Sequence, residues 1–283
     1  MAIIGRRNLL SIVRESAPGL YLDGGDTGEI LLPGRYIPRD LAQGDKLDVF
    51  VYLDSEDRLV ATTETPLVMA GEFAQLEVIA FNPAIGAFLT WGLSKDLLLP
   101  FREQENPVRV GDRVIVHVYL DAKSNRIVAT TRLNRHLNRQ APTYSRGQPV
   151  AFLVLGKTPV GYNVIVENAY RGLIYHDNVS ARLEPGQKLN GFIRGVRPDG
   201  KIDLSLDASG YKRVAALTDR IVQLLERHGG RLGFDDDSSP EEIRESFGAS
   251  KKAFKQALGA LYKERRIRFL KPGIELLKVR EEK

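Results

Sequence analysis

One stretch of this chain occurs twice almost unchanged. Leu47 to Thr63 reads LDVFVYLDSEDRLVATT and Val114 to Thr131 reads VIVHVYLDAKSNRIVATT. Both contain Val-Tyr-Leu-Asp, a polar turn, an Arg and Val-Ala-Thr-Thr, and a Gly-Asp pair precedes each, at Gly44-Asp45 and Gly111-Asp112. A more divergent copy, PGQKLNGFIRGVRPDGKIDLSL, runs from Pro185 to Leu206, with Pro198-Asp199-Gly200 at its turn. A unit repeated at this spacing means one small module used several times. Alternating residues on either side of a short polar turn make each copy a β-hairpin.

Each hairpin completes a set of short strands. Repeat one, residues 1–66, places strands at Leu9 to Arg14, Gly19 to Asp23 and Glu29 to Leu32 before its hairpin. Repeat two, residues 67–140, does the same at Glu72 to Ala80, Gly86 to Thr90 and Asp96 to Pro100. Repeat three, residues 147–208, uses Val150 to Leu155, Gly161 to Val166 and Tyr170 to His176. Five short strands with Gly- and Asp-rich turns predict a Greek-key barrel of the OB type.

After Gly210 the apolar period lengthens to that of a helix, with Val214, Leu217, Ile221, Leu224 and Leu225 on one face up to His228-Gly229-Gly230. Ser239-Pro240-Glu241-Glu242 is a capping box that starts a second helix, and Ser250 caps a third that buries Phe254, Leu258 and Leu261. Ile267 to Leu270 and Ile274 to Val279 predict a two-stranded wing. The expected fold is therefore mainly β: three tandem five-stranded OB-type barrels, then a small α+β winged helix-turn-helix domain over 211–283.

Charge is distributed unevenly. Residues 1–70 hold seven Lys and Arg against eleven Asp and Glu, and residues 71–121 hold four against seven. The balance reverses to thirteen against six over 122–210 and seventeen against twelve over 211–283, and no acidic residue lies between Ala122 and Val166. Such asymmetry points to a polyanionic partner engaged by the C-terminal half. The absence of cysteine rules out disulfides, thiolate zinc sites and a cysteine nucleophile. His117, His136, His176 and His228 show no metal-ligand spacing, and no Gly-rich loop forms a phosphate cradle, so neither cofactor, metal nor enzymatic activity is expected. Asp235-Asp236-Asp237 directly precedes a helix cap and is expected to be a solvated acidic loop. No apolar run approaches the roughly 18 residues of a membrane span, and the N-terminus lacks an export signal, so a cytoplasmic protein is expected.

Gly161-Tyr-Asn-Val, Arg171-Gly-Leu-Ile-Tyr-His and Lys201-Ile-Asp-Leu-Ser205 resemble the S-one repeat, an RNA-binding OB fold. Gly86-Ala-Phe-Leu looks like the same second-strand motif. Three such barrels before a winged helix, with the run GAFLTWGLSKDLLLPF at 86–101, resemble the bacterial conserved virulence factor B (YitL-like) family. That resemblance implies RNA binding, an influence on gene expression after transcription, and no catalysis. Where the S-one repeat places an aromatic or His at the end of strand three, repeats one and two have Pro33 and Pro100, while repeat three has Tyr175-His176.

OB barrels bind single strands by stacking bases on exposed aromatics while Lys and Arg track the phosphates. The candidates in repeat three are Tyr162, Tyr175 and His176, with Arg171, Arg194, Arg197 and Lys201; strand alternation lets only one of Tyr175 and His176 face outward. Repeat two offers Phe88 and Trp91, and repeat one offers Tyr21. Tyr52 and Tyr119, the most visible part of the repeat, are expected to be structural. The basic linker adds Arg132, Arg135 and Arg139. The third C-terminal helix adds Lys251, Lys252, Lys255 and Gln256 near its start, and its end and the wing add Lys263, Arg265, Arg266 and Arg268. The function expected from this set is binding of single-stranded RNA. A DNA-binding regulator acting through the winged helix, or a protein-docking module, are the alternatives.

Overall fold

In the computed structural model, which describes residues 1–39, 41–179, 181–206 and 210–277, the strands close into three five-stranded barrels. Barrel one comprises β1 (Arg7–Ser16), β2 (Gly19–Asp23), β3 (Glu29–Pro33), β4 (Lys46–Leu53) and β5 (Leu59–Thr62). Barrel two repeats the set with β6 (Phe73–Asn82), β7 (Gly86–Leu89), β8 (Leu97–Pro100), β9 (Arg113–Leu120) and β10 (Ile127–Thr130). Barrel three is built of β11 (Pro149–Lys157), β12 (Gly161–Val166), β13 (Tyr170–Tyr175), β14 (Lys188–Val196) and β15 (Ile202–Ser205). In each, the third strand pairs in parallel with the fifth while the other pairings are antiparallel, which is the OB topology. The chain divides into two compact units, 1–137 and 138–283.

The repeated sequence is explained by its structural work. The Asp of each Val-Tyr-Leu-Asp starts the hairpin turn: Asp54 accepts the N–H groups of Glu56 and Arg58, and Asp121 accepts the Ser124 hydroxyl. Each turn passes through the left-handed region, at Asp57 (φ 60°) and Asn125 (φ 53°), where Asp and Asn are the best tolerated side chains after glycine. The last Thr of Val-Ala-Thr-Thr fastens the single helical turn beyond the third strand. Thr63 donates to the Tyr36 carbonyl at 2.8 Å and Thr131 to the Glu103 carbonyl at 3.3 Å.

Barrel one has a core of its own, built on Leu22, Ile30, Leu32, Val49 and Val51, while Phe50, Tyr52 and Val60 pack from it against the interior of barrel two. Trp91 is the wedge between them. It meets Phe50 edge-on at 5.5 Å, and its indole N–H donates to the Val68 carbonyl at 2.7 Å. Around it, Lys95 donates to the carbonyls of Leu53 and Asp54, Arg126 forms a two-pronged pair with Asp57, and the Tyr36 and Ser94 hydroxyls are bonded. Burial lowers the Lys95 pKa, with Arg126 adding to the effect.

In the second unit, α1 (Gly210–Arg227), β16 (Arg231–Leu232), α2 (Pro240–Phe247), α3 (Lys251–Lys263), β17 (Ile267–Phe269) and β18 (Ile274–Leu276) make the winged helix. The expected capping box is present: the Ser239 side chain accepts from Glu242 N–H and the Glu242 carboxylate accepts from Ser239 N–H. The wing differs from expectation. It is a three-stranded sheet in the order β16-β18-β17, because Arg231 and Leu232 add an edge strand too short to leave an alternating pattern. The side chain of Val214, assigned above to the first helix face, and Val279, assigned to the wing, lie outside the described residues.

Candidate nucleic-acid interface

Three glycines set which residues of the second strands face solvent. Gly19, Gly86 and Gly161 open β2, β7 and β12 and pair with Pro33, Pro100 and Tyr175. A Cβ on any of them would collide with the backbone carbonyl oxygen of Leu32, Leu99 or Ile174. Only glycine permits so close a crossing. Counting from that glycine, the next residue points into the core (Leu20, Ala87, Tyr162) and the one after it points out (Tyr21, Phe88, Asn163).

Two expectations are thereby corrected. Tyr162, assigned above to base stacking, is 5% exposed, packs in the core of barrel three and meets His176 edge-on at 5.4 Å. The outward place that Tyr21 and Phe88 hold belongs in barrel three to Asn163, and a residue facing the barrel interior cannot receive a base. Trp91 is 3% exposed and committed to the junction of barrels one and two, so it is not a stacking platform.

The other aromatic candidates sort by what covers them. Tyr21 lies beneath the Arg14 guanidinium, 3.8 Å from its ring centroid, and Arg14 is itself paired with Glu29. Phe88 is half-buried and lines a cavity of about 220 Å³ with Tyr52, Leu53 and Ile127 at the barrel junction. Tyr175 is the outward member of its pair. His176 begins a helical turn, His176–Asn178, and swings back to place Nε2 3.0 Å from the Thr158 carbonyl. Tyr175 is left exposed, its hydroxyl accepting from Arg197 at 2.8 Å.

Around Tyr175 the cations are held by partners of their own. Arg197 is paired with Asp203, which raises its pKa further, and Arg194 donates to Asn178 at 3.2 Å. Lys201 pairs with Asp199 at the exposed hairpin tip and lowers that carboxyl's pKa. Arg171 lies half-buried on β13. Across a polar cleft of about 340 Å³ stands the start of α3: Tyr175, Asn178, Arg194 and Asp203 form one wall, and Ser250, Lys252, Ala253 and Gln256 the other. The structure thus brings Tyr175 and Arg194 together with Lys252 and Gln256, and adds Asn178, a grouping that no spacing rule could connect across so much sequence.

The remaining candidates stand apart from this cleft or are engaged elsewhere. Arg132 is a brace: its guanidinium donates to the carbonyls of Arg102 and Gln104 in barrel two. Arg135 and Arg139 are exposed, as is Arg265. Lys251 donates to the Asp237 carbonyl, Lys255 lies 3.6 Å from Asp236, and Arg266 lies 3.6 Å from Glu264. Asp235, whose pKa is lowered by the N–H groups of Asp237, Gly273 and Ser238, anchors its loop. Sequence reasoning missed two exposed aromatic pairs, Phe81 with Phe101 on barrel two and Tyr262 with Phe269 on the winged helix. Phe81 lies beyond a bulge between Val78 and Ala80 that reverses the alternation of β6, so its outward direction could not be counted from the strand's start.

Comparison with known proteins places these domains. A model of the S1 domain matches residues 4–64 and 70–132, and a model of the CvfB-like winged helix domain matches residues 219–276. In these domains the chain resembles the conserved virulence factor B family. Its relatives include the uncharacterized protein YitL of Bacillus subtilis, 29% identical over 93% of this chain and 90% of that protein. Conserved virulence factor B of Staphylococcus saprophyticus is 24% identical over 93% of this chain and 91% of its own length. Among solved structures, a multidomain protein with nucleic acid binding domains from Streptococcus pneumoniae is 25% identical, covers 97% of this chain and 98% of its own, and superposes with a TM-score of 0.40. Among the described residues no helix is long and apolar enough to cross a membrane.

Proposed function

We propose that this protein binds single-stranded RNA, with the cleft between barrel three and α3 as the main contact, and acts on gene expression after transcription in the cytoplasm. The observation that carries this is the grouping of Tyr175, Arg194, Lys252 and Gln256 around one polar opening. An exposed ring at the end of the third strand offers a face to a base, while Arg194 and Lys252 offer charge to its phosphates. The role is one of binding rather than catalysis. The S1 and winged-helix domains of the chain are nucleic-acid-binding types, which supports the same reading.

The test is binding of labelled single-stranded RNA and of duplex DNA to the full chain across a salt series. Tighter RNA binding, with log affinity falling against log salt at roughly −0.7 per neutralised phosphate, is the expected result. Tyr175→Ala should weaken RNA binding by about 1–3 kcal/mol, the worth of one stacked base. Equal and shallow curves for the two nucleic acids, unmoved by Tyr175→Ala, would refute the proposal.

A further inference from the structure

The winged helix carries an aromatic feature that the cleft on barrel three leaves unused. Tyr262 in the last turn of α3 is 57% exposed and Phe269 on β17 is 41% exposed, their rings 5.3 Å apart at 46°. Beside Phe269 an open cleft of about 700 Å³ lies between α3 and the turn between β17 and β18, lined by Lys255, Gly259 and Lys271 and by Asp236 and Asp237, with Asp236 3.6 Å from Lys255. Gly259 sits inside a helix, where glycine costs about 1 kcal/mol relative to alanine. No packing accounts for it, since a Cβ there would meet no atom within 4 Å. The result is a bare strip of helix beside an aromatic ring, with Lys271 and the Asp236-paired Lys255 in the same lining. That is the form of a slot for a flat group attached to phosphate.

The lining narrows the choice of base. Asp236 and Asp237 are exposed carboxylates, which only accept hydrogen bonds. Adenine and cytosine present an exocyclic amino group that such an acceptor can take up, whereas uracil presents carbonyl oxygens there.

We propose that the cleft between α3 and the wing holds an unpaired, amino-bearing nucleobase of a single-stranded RNA. The base stacks on Phe269 over Gly259, with its flanking phosphates at Lys255 and Lys271. This rests on the RNA-binding function proposed above and gives the winged helix its own share in it, one that selects bases.

The test compares oligo(A) and oligo(U) of equal length against the full chain and three variants. Gly259→Leu fills the floor of the slot with a better helix former, so its thermal midpoint should hold or rise. Phe269→Ala removes the ring. Both variants should weaken oligo(A) by about five-fold or more, the lower end of one base's stacking energy, and leave oligo(U) within about two-fold. Tyr175→Ala should weaken both oligonucleotides. If Gly259→Leu and Phe269→Ala change neither affinity while Tyr175→Ala still does, the slot is idle and the inference fails alone. Equal losses on both oligonucleotides would overturn the choice of an amino-bearing base. No binding of either oligonucleotide to the unaltered chain would remove the RNA-binding proposal and this inference together.

Discussion

His117 occupies in barrel two the place of Phe50 in barrel one, in the middle of the repeated hairpin. It is buried, its Nδ1 lacks a hydrogen-bond partner, and its ring stacks on His136 at 4.2 Å and touches Phe73 at 4.5 Å. Burial first, and His136 second, lower its pKa to about 4. Burial also lowers the pKa of His136, with Glu103 opposing and Arg135 adding to the shift. The unfolded chain takes up a proton near pH 6.5 that folded His117 refuses until about pH 4. Its contribution to stability is therefore complete above about pH 6.5 and is lost as pH falls towards 4, at up to about 1.4 kcal/mol per pH unit. His117→Phe should flatten that slope, seen as a smaller loss of urea midpoint between pH 7 and pH 5 than in the unaltered chain. An unchanged slope would assign the acid sensitivity to other groups. Residue by residue, the sequence was a good guide to type and a poor guide to direction. Tyr175 and Arg194 are legible as candidates, but the S-one resemblance puts Tyr162 on the wrong face, since alternation alone leaves open which face of β12 is buried and the glycine at its head decides it. Trp91→Ala should separate the two kinds of aromatic: about 3–5 kcal/mol of stability lost, as for a large core deletion, with little change in RNA affinity per folded molecule.

At the scale of elements, the strands were legible because the hairpin recurs and its alternation is clean. Their ends were not. Bulges at Ile12/Arg14, Val78/Ala80 and Val154/Gly156 reverse the alternation in the first strand of every barrel. The edge strand β16 is too short to be seen by periodicity. What the sequence does mark, once the crossing is known, is the glycine at the head of each second strand. Gly86→Ala should destabilise the protein by more than about 2 kcal/mol, because its φ of 141° and the Leu99 carbonyl both oppose a side chain. Gly259→Ala, in an open helical position, should instead stabilise it by up to about 1 kcal/mol. Thermal or urea unfolding of the two variants would distinguish a glycine required by geometry from one that geometry does not require.

For the whole molecule, the charge divides near Asp121: the first two barrels are acidic and everything after them is basic. An RNA backbone is repelled by the first part and attracted by the second, which agrees with the placing of the proposed cleft in the second unit. Removing one phosphate contact there, by Arg194→Ala or Lys252→Ala, should reduce the salt slope by about 0.7 in each case. A slope that stays the same would mean these two side chains are too engaged with their protein neighbours to meet phosphate. The acidic barrels have another property, which stems from the packing around Trp91. Each barrel keeps a core of its own, but Phe50, Tyr52 and Val60 tie barrel one into the interior of barrel two, so opening either disturbs the other. Stretched between its ends in a single-molecule pulling experiment, the segment 1–137 should give way in one step and release on the order of 450 Å of chain, rather than in two steps of half that length. In mechanical terms the pair is a single stiff strut, although its sequence is written as two beads.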